Sequence, residues 1–83
     1  MEKSVHTREY RLLLELLRET RQQARVTQVQ LADRLGQTQS FISKCERGEL
    51  RLDLVQLRAF CQSLGTSLAA FVKKYEQRLV SRK

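Results

Sequence analysis

Proline is absent from the chain, and glycine occurs only at positions 36, 48 and 65. Without proline nothing breaks a helix from inside, and each glycine stands directly after a helical pattern, so the chain reads as helices joined by short turns with no strand. Cysteine is scarce: Cys45 and Cys61 each fall on the apolar face of a predicted helix, with no second pair and no histidine close in sequence, so neither a metal site nor a disulfide framework is expected, and both read as reduced core thiols. The single histidine, His6, lies in an N-terminal stretch expected to fray and has no nucleophile or paired carboxylate at helical spacing, so no catalytic residue and no cofactor are expected. Long apolar runs are missing too. None approaches the roughly 18 residues of a membrane span, and the first twenty residues are too charged for a secretory signal, which leads to the expectation of a soluble, cytoplasmic protein without a membrane partner or an evident small-molecule ligand.

Positive charge is abundant. Sixteen lysines and arginines against nine acids give a net charge of +7, which favours a polyanionic partner without identifying one. Its distribution says more: residues 27–52 carry four basic and three acidic side chains, whereas residues 73–83 carry five and one. Directed contacts are expected from the first segment and diffuse charge from the second. At 83 residues the chain has room for one domain, spanning 1–83 without linker or repeat, and its small core makes oligomerisation helpful.

The segment from Thr27 to Asp53 organises the rest. Thr27 followed by Gln30 is a capping box that opens a helix, Leu31, Ala32 and Leu35 share one face of it, and Gly36 ends it. Thr38 caps the next helix, in which Phe41, Ile42 and Cys45 point one way and Gln39, Ser40, Ser43, Lys44 and Arg47 the other, before Gly48 stops it. Two short helices with a tight glycine turn at this spacing, covering about residues 28–47, form a helix-turn-helix pattern. The second helix presents amides, hydroxyls and cations, the groups that pair with base edges and phosphates in a major groove.

This segment resembles the helix-turn-helix of the Cro and phage-repressor proteins, also called the XRE family. The resemblance rests on Thr27, Gln28, Leu31, Ala32, Leu35, Gly36, Ser40, Ile42, Ser43, Lys44, Glu46, Arg47 and Gly48, continues through Arg51, Leu52, Asp53, Leu57, Leu64 and Gly65, and covers roughly residues 8–72. It implies an all-α, compact five-helix bundle of the phage-repressor DNA-binding-domain type. Two residues depart from the pattern: Arg25 stands where a helix-ending glycine is common, and Cys45 where a larger aliphatic residue is usual. A left-handed Arg25 would cost on the order of 1 kcal/mol, and Cys45 would thin the core.

Around the motif, Ser4 or Thr7 caps a helix running to about Ala24, with Tyr10, Leu13, Leu14, Leu17, Thr20 and Ala24 on its apolar face. Asp53 and Gln56 cap a fourth helix with a core stripe of Leu54, Leu57, Phe60, Cys61 and Leu64; Thr66 or Ser67 caps a fifth, about residues 67–80, bearing Leu68, Phe71, Val72, Tyr75 and Leu79. The last stripe is longer than a domain this small can cover, so Val72, Tyr75 and Leu79 are candidates for a homodimer face. Two charges fall on apolar faces: Arg21 between Leu14 and Leu17, and Glu46 beside Ile42. Facing each other they would form a partly buried ion pair, as the resemblance also implies; otherwise both snorkel to solvent.

The expected function is that of a sequence-specific, double-stranded-DNA-binding transcriptional regulator on a palindromic operator. Gln39, Ser40, Ser43 and Lys44 are candidates for base contacts and Gln28, Thr38, Arg47 and Arg51 for phosphate contacts. The alternative is a protein-binding module on the same fold, such as a toxin-neutralising antitoxin or an adaptor; an enzyme is the remotest class.

Overall fold

The computed structural model describes residues 7–81. Five helices follow one another, α1 (Arg8–Gln23), α2 (Gln28–Leu35), α3 (Gln39–Glu46), α4 (Leu54–Ser63) and α5 (Leu68–Ser81), and the described residues contain no strand. Thr7 caps α1 by accepting from the Tyr10 amide at 3.2 Å; Ser4 and His6 lie outside the described residues. Thr27 with Gln30 and Asp53 with Gln56 form reciprocal capping boxes, Thr38 accepts from the Phe41 amide, and Ser67 caps α5 from the Ala70 amide. Each cap satisfies a backbone donor the first turn leaves free, worth about 1 kcal/mol.

The helices pack around Leu17, Leu31, Ile42, Cys45, Phe60 and Phe71, all essentially inaccessible. Two apolar stripes differ from the sequence pattern. On α1, Leu12 and Leu16 are buried and Ala24, expected inside, is exposed. The reason is that α1 packs against α3 and α5 both, so its buried arc is wider than one stripe and ends a turn earlier. On α4, Leu54 is 66% exposed, because the first helical residue projects before the helix meets the core, which begins at Leu57.

The last helix is covered further along than expected. Tyr75 is half-buried against the core and its hydroxyl donates to the Glu9 carbonyl at 2.8 Å, while Arg78 pairs with Glu19 at 3.0 Å. The second half of α5 therefore leans on α1 and does not stand free, which corrects the premise on which Tyr75 and Leu79 were candidates for an uncovered face.

Between α1 and α2 the chain turns through Arg25 at φ +61°, the one non-glycine residue with positive φ among those described. An L-residue in this region loses about 1–2 kcal/mol to the clash of Cβ with the carbonyl, partly offset in comparison with glycine by glycine's freer unfolded chain. Arg25→Gly should therefore stabilise the protein by up to about 1 kcal/mol, read as a higher urea midpoint with unchanged slope; a lower midpoint would contradict it.

Candidate nucleic-acid interface

The two helices of the motif, α2 and α3, pack on each other and are joined by a short turn at Gly36. Ala32 on α2 is buried in the core, and Gly36 at φ +66° lets the Gln37 amide close back on the Ala32 carbonyl at 2.8 Å. A Cβ at Gly36 would meet nothing within 4 Å, so glycine is needed there for its backbone conformation and not for space. Arg34 fixes the motif from behind by donating to the Ser63 carbonyl at 2.7 Å, capping the end of α4. Local pattern places Arg34 simply on the outer side of α2, and nothing in sequence reveals that the end of α4 lies within its reach.

On α3, Ile42 and Cys45 face inward, Gln39, Ser40 and Lys44 are exposed, and Ser43 is half-buried. The helix is held at its far end by Glu46. Arg21 Nε meets Glu46 Oε2 at 2.6 Å and Arg21 Nη2 meets Oε1 at 3.1 Å, with the side chains 10% and 3% exposed. The third guanidinium nitrogen, Nη1, donates to the Val26 carbonyl at 2.9 Å. One side chain thus ties α1, the turn before α2 and α3 together in the bidentate geometry that suits arginine and carboxylate.

Gln28 belongs to the same network. Its Nε2 donates to Glu46 Oε1 at 3.0 Å, and its Oε1 accepts from Gln39 Nε2 at 3.4 Å. A residue considered for phosphate alone is therefore also the link between the buried carboxylate and the first side chain of α3. Its place next to the Thr27 cap gives no hint of this, because the partner lies 18 positions away.

Two other candidate phosphate contacts, Arg47 and Arg51, are also engaged. Arg47 donates from Nε to Glu49 Oε2 at 2.8 Å and from Nη1 to Ser43 Oγ, joining a candidate phosphate contact to a candidate base contact. The bond from Arg47 holds the Glu49 carboxyl below the usual carboxylate range, and its counterpart raises Arg47. Arg51 lies apart, its guanidinium 4.7 Å above the Tyr10 ring, whose hydroxyl accepts from the Leu52 amide at 3.0 Å. Thr38 spends its hydroxyl on its cap. Burial, with the nearby Glu46 charge second, pushes the Cys45 thiol up to about 11, and burial raises Cys61, so both thiols stay protonated. Of the residues considered for a dimer, Val72 is exposed and Tyr75 and Leu79 are half-buried. No helix among the described residues is long and apolar enough to cross a membrane.

Two short packed helices joined by a glycine turn, with a polar face on the second, form a helix-turn-helix, and similarity to known proteins makes it one of the DNA-binding class. A helix-turn-helix domain family matches residues 12–71. Among solved structures, an XRE-family like protein from Pseudomonas syringae pv. tomato str. DC3000 is 44% identical over 90% of this chain and 92% of its own, with a TM-score of 0.83. The chain belongs to the XRE family of helix-turn-helix proteins. No curated protein matches it.

Proposed function

We propose that the protein is a sequence-specific transcriptional regulator that binds a palindromic operator as a homodimer, in the cytoplasm where such an operator is reached, without catalysing a reaction. The observation that carries this reading is the division of α3 into two sides: Glu46 anchors one to the scaffold, and Gln39, Ser40 and Lys44, with Ser43 at the edge, are offered to solvent on the other. Gln39 suits adenine and Lys44 guanine. Gln28, at the backbone end of α2, and Thr38, Arg47 and Arg51 supply phosphate contacts that set register without reading sequence.

Pairing follows from the arithmetic of recognition. One helix reads about four base pairs at roughly 1–3 kcal/mol each, which selects poorly among genomic sites until two copies act together. The dimer face we assign is the outer edge of α5 at Val72, with what Tyr75 and Leu79 leave uncovered. So small a face favours pairing on the operator over pairing in free solution.

Selection of bound duplexes from a random pool tests this directly. A palindrome with half-sites about 10 base pairs apart is expected. Lys44→Ala should then relax preference at one position per half-site and cost about 1–3 kcal/mol, whereas Arg51→Ala should weaken all duplexes alike and flatten the dependence of log affinity on log salt by about one. A pool that yields no preferred sequence would defeat the reading in favour of a protein-binding module, whereas a Lys44 variant with parental preference would overturn the assignment of Lys44 to base contact.

A further inference from the structure

Between Gln39 and Arg51 the chain carries two carboxylates, Glu46 and Glu49. Glu46 is buried and answered by Arg21. Glu49 is different, because its side chain is 53% exposed and the cation it hydrogen-bonds among the described residues, Arg47, is itself a candidate for DNA phosphate. The same guanidinium bonds Ser43 Oγ, so the carboxylate lies one side chain away from the base-reading face. Lys44 also acts on it through its charge. The backbone keeps it there: Gly48 turns at φ +81°, and the Glu49 amide donates to the Lys44 carbonyl at 2.9 Å.

A carboxylate in this position does what a phosphate would do, since it presents anionic oxygen to the Arg47 guanidinium at hydrogen-bonding distance. We propose that Glu49 is an internal competitor of the DNA backbone: it occupies Arg47 in the free protein, is left without its partner when Arg47 turns to a phosphate, and so sets the absolute affinity for DNA and its salt dependence without altering which sequence is preferred. The inference rests on the DNA-binding reading of α3. Its physical basis is that an exposed ion pair is weak enough to exchange partners, while each phosphate newly neutralised by a cation releases counterions.

The test uses the full chain, the selected operator and an unrelated duplex of equal length. Glu49→Gln should tighten binding to both duplexes by about two- to fivefold, the fold-change an exposed ion pair corresponds to. The salt dependence should steepen by up to about one. Against an Arg47→Ala background the same substitution should gain much less, since there is no guanidinium left to release. Equal gains in both backgrounds would overturn the proposal, because the carboxylate would then act by general repulsion of DNA, and so would an unchanged or weakened Glu49→Gln variant. Both side chains are exposed, so thermal midpoints of the variants should stay near the parent's, showing that binding is compared between folded proteins. A parent that binds neither duplex would instead overturn the assignment of α3 to DNA.

Discussion

Arg21→Met should destabilise the protein by about 3–5 kcal/mol, and Glu46→Leu by a similar amount, because each leaves the opposite charge buried without its partner. The two side chains are 10% and 3% exposed, and Glu46 is met by Arg21 Nε and Nη2 and by Gln28 Nε2 together. Domains of this kind have about 5–15 kcal/mol in all, so either single variant should lose a large share of the total. The double variant should recover much of the loss, since an apolar pair carries no desolvation penalty. A double-mutant cycle on urea midpoints measures the coupling, and additive losses would show that the two residues do not act on each other. The double variant compared with the parent reads the pair's net contribution, expected to be small because desolvation offsets the attraction.

Phe71→Ala should cost about 3–5 kcal/mol through lost burial and the cavity left behind. Phe71 is the one fully buried residue of α5 and is 2% exposed, against the same cluster that holds Leu17 and Phe60. Tyr75→Phe, which removes only the bond to the Glu9 carbonyl, should cost about 1 kcal/mol. The contrast separates docking by a single apolar anchor from docking by polar contacts along the helix. Denaturant unfolding of both variants checks it, and equal losses would mean that the α1–α5 seam, more than Phe71, holds the helix.

Helix boundaries were legible in the sequence because they depend on neighbours in the chain. Thr27 with Gln30, Asp53 with Gln56, and the glycines at 36, 48 and 65 act over three or four residues, and the structure uses all of them. The meeting of Arg21 and Glu46 was legible for another reason: a charge on an apolar face needs an answer, and each helix shows one misfit. What could not be read locally was the number of neighbours each helix has. Leu12 and Leu16 are buried because α1 touches α5 as well as α3. Tyr75 is covered for the same reason. The partners of Gln28 and Arg34 lie 18 and 29 positions away, and no periodicity encodes which side chain an amide or guanidinium will find across such a span.

The division of α3 bears on how the protein could acquire a new target. On the base-reading role proposed for α3, Ser40 and Lys44, which are exposed and stand outside the network around Glu46, are positions where sequence preference can be changed with the scaffold left as it is. Gln39 is the exception. Its bond to Gln28 connects it to Glu46 and through it to Arg21, so a change of letter there also alters the support beneath it. Retargeting is therefore open along the middle of the helix and constrained at its first residue, and variants selected for altered operators should change position 39 together with position 28.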